Sequence, residues 1–188
     1  MGVLATESGP WTGVVLAGGQ SSRTGRDKAH LAWRGQTLLS HACSRLQAAG
    51  AANVIVSGEY PECGSIADAH PGLGPLGGVA SVIEAVRDGV LLFVPVDMPL
   101  LTPRLLRLLA CHDASACAAY RDHILPMRLR VDDRCRHDIA RLVSDAAARR
   151  SLRALHEALG GEFIPVPVEH LAELVNCNTP QQWEAVAP

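Results

Sequence analysis

Lysine is almost absent from this chain: its 188 residues include sixteen arginines and a single lysine, Lys28. A composition that avoids lysine elsewhere and keeps one points to the chemistry of that residue, and its position has to decide. Aromatic residues are scarce, at 4%, which excludes the stacking platforms that hold single-stranded nucleic acids. A basic surplus is missing as well. Seventeen Lys plus Arg against nineteen Asp plus Glu leave a net charge of −2, so the electrostatic footprint of a nucleic-acid binder is not there. No apolar run approaches the ~20 residues of a membrane-spanning helix. The longest, Val90 to Val96, has the length of a strand.

The first ten residues lack the basic start and extended apolar stretch of a secretory signal. Met1-Gly2 with Thr6 meets the myristoylation pattern only as one glycine and one hydroxyl residue do by coincidence. No CxxC pair occurs. Six cysteines at irregular gaps, Cys43, Cys63, Cys111, Cys117, Cys135 and Cys177, read as reduced thiols of a cytoplasmic protein. Cys135 with His137, or Cys111 with His112, offers none of the four-ligand spacing of a zinc site.

What the chain does have is apolar mass: 48% hydrophobic residues against 19% charged, enough for a sizeable core. The length fits one domain over residues 1–188, with 1–11 as a loosely ordered lead-in. Val14-Val15-Leu16 reads as a buried strand that feeds a glycine loop. Thr37 to Ala49 carries apolar residues at helical spacing, with Gly50 suited to the cap. Val54 to Val56 and Leu91 to Val94 read as further buried strands, and Pro75 to Val86 as a helix. Thr102-Pro103 opens another helix that runs to about Cys111. Continuous apolar strands that alternate with helices imply βαβ units and a parallel sheet covered on both faces. Beyond them, Ala116 to Tyr120, Pro126 to Val131 and Phe163 to Val166 read as strands, Arg134 to Ala148 and Ser151 to Leu159 as helices. Thr179-Pro180 opens a final short helix.

Four segments could carry chemistry. The first is the loop after strand one, Leu16-Ala17-Gly18-Gly19-Gln20-Ser21-Ser22-Arg23-Thr24-Gly25-Arg26-Asp27-Lys28. Ligands of open α/β sheets bind at the carboxyl ends of the strands. Small residues there let backbone N–H groups approach a phosphate, and Arg23 and Lys28 supply positive charge for a polyphosphate. The loop is neither GxGxxG nor GxxxxGK[ST], which disfavours a nicotinamide-dependent oxidoreductase and a P-loop enzyme. The second is Asp97, within Pro95-Val96-Asp97-Met98-Pro99 at the end of a buried strand. It can hold Mg²⁺ beside a triphosphate, or simply cap the next turn. The third is Gly72-Leu73-Gly74-Pro75-Leu76-Gly77-Gly78, which can pack close to a ring or ribose; Asp68 upstream is a ribose or base acceptor or a solvated loop acid. The fourth is Asn176-Cys177-Asn178-Thr179-Pro180, an amide-rich turn that caps a helix or sends an asparagine into the crevice. The eight histidines are scattered and none reads as catalytic.

Together, LAGGQSSRTGRDK, GPLGG, PVDMP and NCNTP resemble, in chain order from about Val14 to Trp183, the bacterial molybdenum cofactor guanylyltransferases, a branch of the nucleotidyltransferases. The doubled glycine after Leu16-Ala17 and the terminal Asn-x-Asn-Thr-Pro look like the guanylyl type; cytidylyl relatives usually show alanine where Gly18 stands. The resemblance implies an α/β, three-layer Rossmann-like nucleotidyltransferase fold with a mostly parallel central sheet. It implies transfer of GMP from GTP to molybdenum-loaded molybdopterin, with release of pyrophosphate. The backbone at Leu16, Ala17 and Gly18 would hold the nucleotide, Arg23 and Lys28 the triphosphate, and Asp68 the guanosine. Asp97 would bind Mg²⁺ and the nucleotide, and Asn176 and Asn178 would face the pterin. Family members often carry Asn at the end of strand two, where this chain places Ser57 on the GTP side. In Asp122 to Pro126 only the proline matches. The expected partners are GTP, molybdopterin and, transiently, molybdopterin-handling proteins, recipient molybdoenzymes or their chaperones, with no nucleic acid and no membrane. A cytoplasmic monomer is expected. The alternatives on the same fold are a molybdopterin cytidylyltransferase and a sugar-phosphate nucleotidyltransferase; outside catalysis, a module that binds GTP without turning it over.

Overall fold

Each strand sends alternate residues to opposite faces of a sheet, so a strand apolar at every position has to be covered on both sides. The computed structural model, which describes residues 9–18, 27–113, 116–145, 149–178, 182–183 and 186, is built on that rule. Its elements run β1 (Trp11–Leu16), β2 (Ala32–Trp33), β3 (Gln36–Thr37), α1 (Leu38–Ala49), β4 (Asn53–Ser57), α2 (Pro75–Ala85), β5 (Gly89–Pro95), α3 (Pro103–Ala110), β6 (Cys117–Tyr120), β7 (Met127–Val131), α4 (Asp133–Ser144), α5 (Leu152–Ala158) and β8 (Glu162–Ile164). Short 3₁₀ helices cover Lys28–His30, Pro61–Cys63 and Val168–Leu174.

Six strands form one sheet in the order β4-β1-β5-β7-β6-β8. β1 pairs in parallel with β4 and β5, and β6 with β8, while β7 runs antiparallel to β5 and β6. The sheet is therefore mostly parallel. On one face Trp11, Val15, Val56, Leu92, Val94 and Tyr120 pack with α1 and α3. On the other, Val14, Leu16, Leu91, Phe93, Met127 and Leu129 pack with α2, α4 and α5. Neighbours in sequence thus belong to different layers, and the sheet is the middle of three.

The helix ends follow from local residues. Thr37 accepts a hydrogen bond from Ser40 N (3.1 Å) and starts α1, and Gly50, at φ 100°, ends it in the left-handed conformation. Thr102, Asp132 and Ser151 cap α3, α4 and α5 in the same way. Two arginines close the other ends: Arg107 Nε donates to Ala49 O (2.9 Å), and Arg136 donates to Ile83 O and to Val86 O. A planar fork suits two carbonyls at once better than an ammonium does.

Three expectations need adjustment. β1 starts at Trp11, which is 5% exposed and belongs to the core, so the lead-in expected over 1–11 overlaps the sheet. The strand expected over Phe163 to Val166 is β8 at Glu162–Ile164, and the helix expected to reach Ala148 ends at Ser144. The hairpin β2–β3 has no counterpart among the expected elements; its turn places Arg34 (φ 47°) and Gly35 (φ 81°) in the left-handed region. The short helix expected from Thr179-Pro180 begins outside the described residues.

Candidate functional site

The register of the sheet assembles the site. Leu16 aligns with Ser57 on one side and with Pro95 on the other, so β1, β4 and β5 end level. The residues immediately after the three strands, Ala17-Gly18, Gly58 and Val96-Asp97, are therefore set side by side. Val96 N donates to Leu16 O (3.2 Å), while Ala17 N and Gly18 N both donate to Ser57 O (3.0 and 2.9 Å). These contacts need small residues. A Cβ on Gly18 would lie 3.3 Å from Gly58 Cα, and one on Gly58, at φ 139°, would lie 2.9 Å from Gly18 N.

Lys28 and Asp97 meet at this edge. Lys28 heads the 3₁₀ helix that Asp27 caps through Ala29 N (3.0 Å), and its Nζ donates to Asp97 Oδ2 at 3.0 Å. Both side chains are about four-fifths buried, at 21% and 19% exposure, so the pair is desolvated in part and still open to a ligand. Lys28 Nζ also donates to Asn178 Oδ1 at 2.6 Å. The Asn178 segment is docked by its own backbone: Cys177 N donates to Asp97 O (2.9 Å), and Asn178 N donates to Gln182 Oε1 (2.7 Å). Cys177 is fully buried, and desolvation raises its pKa. One cation, one carboxylate and one amide oxygen thus converge at the strand ends from residues distant in sequence.

The other expected residues occupy distinct places. The side chain of Leu16 is in the core and Ala17 is buried beside it, so both side chains are taken up by packing. Ser57 is 2% exposed, and a Cβ on Gly78 would lie 2.7 Å from its Oγ. The hydroxyl is therefore turned toward the first turn of α2, and the carbonyl of Ser57 is what holds Ala17 and Gly18. Asp68 is exposed; its Oδ1 accepts from His70 N (2.8 Å), and a Cβ on Gly77 would lie 3.0 Å from it. Gly77 and Gly78 are thus needed for close packing of the Asp68 turn and of Ser57. Asn176 is exposed, and Arg23 lies outside the described residues.

Sequence reasoning misses Tyr60. Its hydroxyl donates to the Asp27 carboxylate at 2.9 and 3.0 Å and lies 3.3 Å from Ala17 O. No pattern points to it, since a single tyrosine 33 residues from its partner leaves no spacing to read. His41 has no expected role either. Its Nε2 donates to Pro99 O (2.9 Å), its Nδ1 accepts from Gln36 Nε2 (3.1 Å), and burial holds its pKa below the ordinary value of 6.5. The neutral ring ties α1 to the segment after Asp97.

Residues 13–159 match the family described as MobA-like NTP transferase domain. The chain is also 52% identical, over 93% of its own length and 93% of the other, to a molybdenum cofactor guanylyltransferase from Xanthomonas euvesicatoria. This chain belongs to that family. Its fold is shared with solved structures of much lower identity. The molybdopterin-guanine dinucleotide biosynthesis protein A of Archaeoglobus fulgidus superposes with a TM-score of 0.72 at 19% identity, covering 93% of this chain and 95% of that one. A Mycobacterium tuberculosis protein solved in complex with manganese superposes with a TM-score of 0.61 at 17% identity, covering 95% and 97%. As a nucleotidyltransferase of this family, the chain has its polar convergence where an open α/β sheet places ligands.

Proposed function

We propose that the protein transfers GMP from GTP to the terminal phosphate of molybdenum-loaded molybdopterin, releasing pyrophosphate and forming a guanine dinucleotide cofactor. The observation that carries this reading is the 3.0 Å contact between the chain's only lysine and the carboxylate at the end of β5. In the reaction, an acceptor phosphate oxygen bonds to the α-phosphorus of GTP. The bond from that phosphorus to the oxygen bridging to the β-phosphate breaks, and its electron pair leaves with pyrophosphate. The acceptor oxygen is already an anion, so no general base is required. Positioning and charge neutralisation are the two tasks left to the protein.

The backbone at Leu16, Ala17 and Gly18, braced by the carbonyl of Ser57, forms the floor against which the nucleotide lies. Lys28, with Arg23, neutralises the triphosphate and then the departing pyrophosphate. Asp68 sits on the guanosine side, and Asn176 and Asn178 on the pterin side. The donor set suits a hard divalent cation such as Mg²⁺. Asp97 offers carboxylate oxygens, and among the described residues no group of three His, Cys, Asp or Glu forms a complete protein cage. Mg²⁺ is usually held by one or two carboxylates, with substrate phosphates completing its shell. Asp97 would hold it, and it would supply charge neutralisation at the phosphates.

A panel of GTP, CTP, ATP and UTP, each with Mg²⁺ and molybdenum-loaded molybdopterin, tests the reading through pyrophosphate release. Release with GTP is expected. Release with CTP instead would move the protein to the cytidylyl relatives, and binding of GTP without release would make it a carrier or sensor.

A further inference from the structure

Tyr60 touches both chain segments that enter the site. It is 5% exposed, and its backbone is fixed: its N–H donates to Ser65 Oγ (2.9 Å), and its carbonyl accepts from Cys63 N (2.9 Å). The single proton of its hydroxyl lies between the two oxygens of Asp27 at 2.9 and 3.0 Å, with Ala17 O at 3.3 Å. Asp27 in turn caps the 3₁₀ helix at Ala29 N and pairs with His30 Nδ1 (2.9 Å), so its backbone cannot shift without moving Lys28, the next residue. The ring has a part as well. A Cβ on Gly58 would lie 2.8 Å from Tyr60 Cε2, so the ring is packed on the glycine that abuts Gly18.

We propose that Tyr60 is a positioning residue for the nucleotide end of the site, acting through Asp27 to fix Lys28 relative to the end of β1. The inference rests on Lys28 as the triphosphate's cation and extends that role to a residue that touches no substrate. Desolvation first, and the hydrogen bond to Asp27 second, raise the pKa of the phenol, so the hydroxyl keeps its proton as a permanent donor at neutral pH. A phenylalanine in its place would fill the same volume and pack on Gly58 and lose only the bridge.

The test is Tyr60→Phe in the full chain, read by two measurements. Hydrogen exchange at the amides of residues 27–31 should speed up about tenfold, the scale for one hydrogen bond to a charged group, with exchange in the sheet unchanged. KM for GTP should rise by a similar factor while kcat changes less. A role in packing alone would lower the unfolding midpoint and leave both readouts where they were. Asp27→Ala, which also removes the cap on Ala29 N, should raise KM at least as much, and adding Tyr60→Phe to it should change nothing more, because the tyrosine acts through Asp27. Parental exchange and parental KM in Tyr60→Phe, or additive effects in the double variant, would overturn the assignment. Exchange reads the positioning whatever the substrate is. A parent protein that ignores GTP would instead sink the reading of function, and the exchange result would still decide the role of Tyr60.

Discussion

Lys28 Nζ lies 2.6 Å from Asn178 Oδ1, across 150 residues of sequence. The same ammonium lies 3.0 Å from Asp97 Oδ2. An asparagine expected on the pterin side is thus bonded to the lysine expected on the triphosphate side. In the proposed mechanism this bond links the two halves of the site, so a change at one is expected to be felt at the other. Asn178→Ala should therefore weaken GTP binding severalfold with no acceptor present, since it releases one of two partners that hold Lys28. Calorimetric titration with GTP and Mg²⁺ checks this; an unchanged dissociation constant would confine Asn178 to the pterin.

The small residue at the end of β4 is expected to be required by volume. Ser57 is buried where Gly78 leaves room for its hydroxyl. Ser57→Asn adds atoms to a closed contact. It should cost about 1–3 kcal/mol of stability by overpacking. Gly78→Ala crowds the same point from the helix side. Chemical denaturation measures both, and the two costs should not add, because they strain one contact.

His41 gives stability a pH dependence of known sign. Its folded pKa is lowered by burial, so the unfolded chain takes up the proton first as the pH falls. The contribution of the neutral ring is fully present above about pH 6.5, the unfolded value, and is lost as the pH drops from there toward the folded pKa. His41→Gln should flatten this part of the profile, in unfolding midpoints followed from about pH 8 to about pH 5, values chosen to bracket the transition.

Thiol chemistry should sort by burial. Cys63 and Cys111 are exposed. Burial pushes Cys43 and Cys135 up to about 11 and Cys117 up to about 12, and raises Cys177 as well. A thiolate is the reactive form. An aromatic disulfide reagent at neutral pH should therefore titrate Cys63 and Cys111 quickly in the native protein, the half-buried Cys43 more slowly, and the three buried thiols only after unfolding.

Much of this molecule is legible in the chain because its signals are local. Thr37 and Gly50 bracket α1 with a cap at each end, and Thr102-Pro103 does the same at the start of α3. Lys28 and Asp97 can be brought together from sequence because both follow buried strands, and parallel strands end on one side of a sheet. The direction of β7 is not legible, since Met127 to Val131 looks the same whichever way the strand runs. Nor is the hairpin β2–β3, with two residues in each strand and no alternation to read. The Tyr60–Asp27 and Lys28–Asn178 contacts are products of tertiary placement alone. The glycines of Gly72 to Gly78 read in sequence as room for a ligand, but the space at two of them, Gly77 and Gly78, is taken by the protein's own packing.

One ammonium and one carboxylate, by this mechanism, serve the same triphosphate. Single-turnover GMP transfer from GTP to molybdenum-loaded molybdopterin in Lys28→Ala and Asp97→Ala, each confirmed folded, measures their joint action. Both variants should be slower by at least ~100-fold, the scale for removing one group that stabilises the transition state. Transfer at close to the parental rate in either variant, with GTP and Mg²⁺ saturating, would remove that residue from the mechanism and break the pairing on which it rests.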